Sequence, residues 1–137
     1  MKNIAIMIPT LSGGGAERIA GLLSIYLSRK YNVYILLERD DNISYNYNGK
    51  LLKIPLDETG QVEAVVREYK KKYEIDCTIS FLERMDIINI RTKVNDLIIV
   101  SELLSNGEME PYSYGMEKRI RQWYPYADKI VAAWGGI

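Results

Sequence analysis

Ile4-Ala5-Ile6-Met7-Ile8-Pro9-Thr10-Leu11-Ser12-Gly13-Gly14-Gly15-Ala16-Glu17-Arg18 opens the chain and decides its fold. Residues 4–8 form a short, continuously apolar run, the pattern of a strand buried on both faces. The run ends at Pro9 and passes into three consecutive glycines. A helical pattern follows at once, because Ala16, Ile19, Ala20, Leu23, Tyr26 and Leu27 fall at i, i+3, i+4, i+7, i+10 and i+11. Gly21 inside that helix either weakens it or lets a neighbour approach closely.

Working outward, the same alternation repeats. Residues 32–37 read as a second buried strand, 40–49 as a polar loop, and 51–54 as a third strand stopped by Pro55. Residues 62–73 are helical, with Val62, Val65, Val66 and Tyr69 on one face and Lys70, Lys71 and Lys72 mostly toward water. Residues 77–81 form a fourth strand, 85–94 a helix and 97–100 a fifth strand. A loop over 105–114, a helix over 116–126 and a last strand over 129–133 complete the chain. Apolar strands alternating with helices predict an α/β domain with a doubly wound, mostly parallel, Rossmann-like sheet covered by helices on both faces. At 137 residues the chain is one domain, and it shows no repeat or linker.

Composition narrows the chemistry. Lys+Arg and Asp+Glu are 18 each, so there is no basic surplus of the kind nucleic acid attracts, and no nucleic-acid partner is expected. The chain has no histidine, which removes His-based triads and His-ligated metal sites. Its single cysteine, Cys77, allows no internal disulfide and fits a reducing, cytoplasmic compartment. The apolar start is too short for a signal peptide, and no apolar run approaches the ~18 residues of a membrane span. Tyrosine is abundant, 11 against one phenylalanine, which suits half-buried and cleft positions as well as plain surface packing.

In a doubly wound sheet, ligands sit outside the carboxyl ends of the strands, so the loop Gly13-Gly14-Gly15 is the first place to look. Glycines there permit positive φ and close backbone approach, and the helix N-terminus behind them is an anion site suited to phosphate. A tight turn without a ligand is the alternative. The dinucleotide fingerprint is only partly met: Gly13 and Gly15 fit, Arg18 stands where the third glycine belongs, and Glu38 is placed to act as the ribose-binding acid. The Gly-Lys-Ser/Thr of nucleotide hydrolases is missing.

The opening stretch resembles the start of a bacterial family 4 (group 1) glycosyltransferase, a retaining enzyme of the GT-B fold with two Rossmann-like domains facing a cleft. Asp76-Cys77-Thr78-Ile79-Ser80-Phe81-Leu82, Ile98-Ile99-Val100-Ser101-Glu102 and Tyr126-Ala127-Asp128-Lys129-Ile130-Val131-Ala132 are similar to later segments of that family, in the same order. The resemblance implies an acceptor-side N-terminal domain over 1–137, with the donor-binding domain absent from this chain and the chain alone inactive. It implies transfer of a hexose from a nucleotide sugar to a glycan or a lipid-linked saccharide, with no cofactor, no metal and no protein general base. By position, Gly13, Gly14 and Gly15 match the loop that faces the donor diphosphate. Glu17, Arg18, Phe81, Glu83, Ser101 and Glu102 are the candidates for acceptor or sugar contact, with Arg84 beside them. Glu17 suits a helix N-terminus equally well as a cap, and Phe81 suits the core. Family members commonly carry a histidine near Glu102 and follow a Ser-Glu pair with Arg-Asn; here Leu103 and Leu104 follow. The role of Glu102 therefore stays open between sugar contact and a solvated acid.

In the tail, Met116, Ile120, Trp123 and Tyr124 share a helical face, with Lys118, Arg119 and Arg121 elsewhere. That helix either lies peripherally on the inner face of the membrane or packs on the sheet. Two other classes remain: a stand-alone Rossmann-like module that binds glycans or nucleotides and partners a separate donor subunit, and a nicotinamide- or nucleotide-binding enzyme.

Overall fold

The computed structural model describes residues 2–56, 61–105, 118 and 121–135; of 102–105 and 132–135 it describes the backbone only. The strands are β1 (Asn3–Met7), β2 (Asn32–Leu37), β3 (Lys50–Lys53), β4 (Cys77–Phe81), β5 (Leu97–Ser105) and β6 (Lys129–Gly135). The helices are α1 (Gly15–Leu27), α2 (Gln61–Lys72) and α3 (Glu83–Arg91), and a short 3₁₀ turn, Tyr124–Tyr126, precedes β6. All six strands run parallel in the order β3-β2-β1-β4-β5-β6. The chain is a Rossmann-like, doubly wound α/β domain.

Period-two alternation along the strands assigns each face. Ile6 and Ile8 of the first strand segment join Val33, Ile35 and Leu37 of β2 under Ala16 and Ala20 of α1. Ala5 and Met7 point the other way, with Leu36 and Leu52, against Val62 and Val66 of α2 and Met85 and Ile88 of α3. A one-residue slip in β1 would exchange the two sets, so register is held by two cores at once. Ile98 and Val100 of β5 form a third cluster with Ile90 and Tyr124.

The expected helix glycine has its reason here. The β2–β3 connection lies along α1, and a Cβ at Gly21 would stand 2.7 Å from the Asn46 carbonyl oxygen. Asn48 N–H also donates to Ser24 Oγ at 3.0 Å, tying the loop to the helix.

Three elements differ by two residues or more at an end from the sequence expectation, and one side chain differs in orientation. The fifth strand continues through Ser105 instead of ending at Val100, because its parallel pairing with β6 carries on from Ile99↔Lys129 to Ser105↔Gly135. The third helix begins at Glu83, two residues early, and ends at Arg91. The last strand extends to Gly135. Lys70, expected in water, is 1% exposed, because α2 turns that position toward β4 and α3. The expected loop over 105–114 and most of the helix over 116–126 lie outside the described residues. Lys118 and residues 121–123 are helical.

Candidate functional site

The strand order reverses between β1 and β4, so the crevice lies outside their carboxyl ends. Two corners line it, the glycine loop after β1 and the Leu82–Arg84 corner after β4.

The glycine loop is exposed and held from behind. Gly13 has φ +92°, a conformation glycine adopts without steric cost, and a Cβ there would meet nothing within 4 Å. Gly15 likewise faces open space. Gly14 caps α1 in an extended conformation with no side-chain hydrogen bond to the first turn, so the leading N–H groups are left to water or a ligand. Glu17 curls back over this cap, its Oε2 2.8 Å from where a Gly14 Cβ would stand. Arg18 is exposed beside it, and its N–H donates to the Gly14 carbonyl at 3.3 Å. Upstream, the Thr10 and Ser12 hydroxyls pair at 2.9 Å, and the Tyr45 hydroxyl donates to the Gly13 carbonyl. The loop is therefore braced on its protein side and bare on the other.

The opposite corner is strained. Leu82 has φ +76°, uncommon for a residue with a Cβ, and it starts α3 by accepting the Asp86 N–H at 2.9 Å. Such a backbone costs about 1–3 kcal/mol and often accompanies function. It lets Arg84 reach across the end of β1 to Glu38 at the end of β2. Arg84 Nη1 donates to Glu38 Oε1 at 2.9 Å, and Nη2 lies 2.6 Å from Oε2, close enough for charge pairing but off the hydrogen-bonding axis. Glu38 itself is 3% exposed. The guanidinium thus neutralises the one acid placed to bind a ribose, and the pair spans the switch point.

The other expected residues divide. Phe81 is buried in the core under α1. Glu83 is half-buried in the first turn of α3, next to Arg84. Ser101 is buried within β5, opposite Phe81 and Val131, and not on a loop beyond the strand. Glu102 follows it in β5, opposite Ala132; its side chain lies outside the described residues. Gly13, Gly14, Gly15, Glu17 and Arg18 are thus contiguous on the rim, with Glu83 and Arg84 at the facing corner.

Sequence reasoning missed a buried polar layer on the α2–α3 side of β4. Lys70 Nζ pairs with Asp96 Oδ2 at 2.8 Å and donates to Asn89 Oδ1 at 2.9 Å. Thr78 Oγ1 donates to Asp96 Oδ2 at 2.6 Å, and Asn89 Nδ2 donates to the Thr78 carbonyl and to Ser80 Oγ. Ser80 Oγ donates to Asp86 Oδ1 at 2.6 Å, and the Tyr124 hydroxyl donates to Asp86 Oδ2 at 2.5 Å. Burial pulls the Lys70 pKa down, and the adjacent Asp96 opposes that shift. A signal was available in the alternation Thr78, Ser80 on the inward face of an otherwise apolar strand. Nearby, burial pushes the Cys77 thiol up to about 11, which keeps it mainly in the thiol form at neutral pH.

Among the described residues, no cluster of three Cys, Asp or Glu side chains is arranged to hold a metal, and no helix is long and apolar enough to cross a membrane. Compared with protein-family models and with curated protein sequences, the chain matches none.

Proposed function

We propose that this domain is the acceptor side of a retaining, GT-B-type glycosyltransferase that moves a hexose from a nucleotide sugar to a glycan or lipid-linked saccharide. The observation that carries the reading is the glycine loop: two of its glycines face open space, and it fronts the uncapped N-terminus of α1 beside the switch point. Backbone N–H groups and the positive end of the helix there suit a diphosphate. Glu17, Arg18, Glu83 and Arg84 surround it with hydrogen-bonding groups fit for sugar hydroxyls. The chemistry assigned to this chain is binding and positioning, and no residue is assigned as nucleophile or general base. The donor half belongs to a second domain or subunit.

A nicotinamide-binding enzyme is less well supported, because Arg84 already occupies Glu38. A stand-alone glycan- or nucleotide-binding module would use the same rim without catalysis. Calorimetric titration with uridine diphosphate, NAD and a short saccharide separates the nicotinamide reading from the other two. Saturable binding of uridine diphosphate that Gly15→Val abolishes is the expected result. Tight NAD binding overturns the proposal, and turnover by the chain alone overturns its acceptor-side role.

A further inference from the structure

We propose that the outward face of α1 docks on a bilayer surface carrying anionic phospholipid. On this helix Arg18, Ile19, Leu22, Ile25 and Tyr26 fall within one arc of about 120° at 3.6 residues per turn, and Arg29 follows in the turn just past the helix. Three of them are large apolar groups left in water: Ile19 is 42% exposed, Leu22 57% and Tyr26 65%. The opposite face of α1 is buried on the sheet through Ala16 and Ala20. No part of the described protein therefore needs this stripe.

Charge and size select the occupant. Arg18 stands at one end of the stripe, and Arg29 and Lys30 stand in the turn just past its other end. The arc contains no acid; Glu17 is turned back over Gly14. The Arg29 guanidinium lies 5.6 Å from the centre of the Tyr26 ring, so an aromatic body and a cation are presented together. Leu and Ile to enter the acyl boundary, Tyr at the headgroup level and arginines for phosphate are the elements of an interfacial helix. Three partly exposed side chains offer a patch of a few hundred Å², the size of an ordinary monomer's largest patch (~300–600 Å²). A stable dimer needs ~800 Å² per partner, so a second copy of this chain is the poorer fit. The tail helix, the other membrane candidate in the sequence, differs: Trp123 and Tyr124 pack into the third core cluster.

This surface shares Arg18 with the rim of the glycine loop, and ligand titration without vesicles tests that loop independently of Leu22, Arg29 and Lys30. Co-sedimentation of the 137-residue chain with vesicles of phosphatidylcholine, with and without one quarter phosphatidylglycerol, tests the docking. Binding is expected only with phosphatidylglycerol, falling steeply with salt. Leu22→Glu should weaken it at least about tenfold, since a charge replaces the central apolar contact. Arg29→Ser with Lys30→Ser should weaken it about twenty-five-fold, roughly fivefold per basic group. Circular dichroism checks that each variant is folded. The proposal is overturned by failure of the parent chain to sediment with anionic vesicles, or by sedimentation that a folded Leu22→Glu leaves unchanged. It is equally overturned by a solution dimer that Leu22→Glu dissociates, which would assign the stripe to a second copy.

Discussion

The glycine loop and the polar layer behind β4 stand at two ends of one design choice. In the layer, Lys70, Asp96, Thr78, Asn89, Ser80, Asp86 and Tyr124 form an unbroken run of hydrogen bonds away from water. At the loop, Gly13 and Gly15 stand in the open and the cap of α1 has no side-chain partner. Buried polar groups that satisfy one another stabilise a particular packing of helix on strand. Polar backbone left bare at a switch point is available to something else. The contrast separates charge used to hold the fold from charge offered to a ligand, although both regions contain acids, bases and hydroxyls.

The sharpest way to break this comparison is Asp96→Ala. It leaves the Lys70 ammonium buried without its counter-charge, and a loss of about 3–5 kcal/mol in urea unfolding is expected. A loss under 1 kcal/mol would mean the layer is wetter than its burial indicates. Lys70→Met combined with Asp96→Ala should recover most of the loss. Tyr124→Phe removes one hydrogen bond to the Asp86 carboxylate and should cost about 1.5–3 kcal/mol by thermal or chemical melting.

The loop should respond the opposite way. Gly13→Ala meets no neighbour but must hold φ +92°, so a cost of about 1–2 kcal/mol is expected. Gly15→Ala has neither obstacle. Its stability should stay within about 0.5 kcal/mol of the parent, while uridine diphosphate binding measured by calorimetry falls. Unchanged binding in both variants would reduce the loop to a turn.

The smallest effect belongs to the surface. Lys93, at 2.8 Å, and then the Ile98 N–H hold the Asp128 carboxyl below its usual pKa. A depressed carboxylate contributes stability that is present above the unfolded pKa of about 3.9 and lost as pH falls through the folded value. Lys93→Met should therefore lower stability at neutral pH only slightly, as exposed pairs do. It should also flatten the acid side of the stability profile below about pH 4. An unchanged acid limb would show that the backbone N–H alone sets this carboxyl.

Local patterns made much of the fold legible. The apolar runs of β1, β2, β4 and β5 are short and continuous because both their faces are covered, and α1 and α2 carry clear stripes. Boundaries were less legible where pairing extends an element: β5 continues past Val100 because β6 lies alongside it, and Leu82 turns the chain so early that α3 opens at Glu83. At the site, Gly13, Gly14 and Gly15 announced themselves by composition. The Glu38–Arg84 pair did not, because 46 residues separate partners that only the strand order brings together.

The sequence by itself determined the alternation of strand and helix, the parallel sheet, the glycine turn and the absence of histidine chemistry. These follow from periodicity and residue type, which act over a few neighbours. Tertiary structure alone decided that Lys70 is a core residue, that Phe81 and Ser101 are interior, that Arg84 covers Glu38, and that α1 keeps Ile19, Leu22 and Tyr26 in water. Each depends on which surfaces meet across the sheet, and burial and charge pairing act between residues that are distant in the chain.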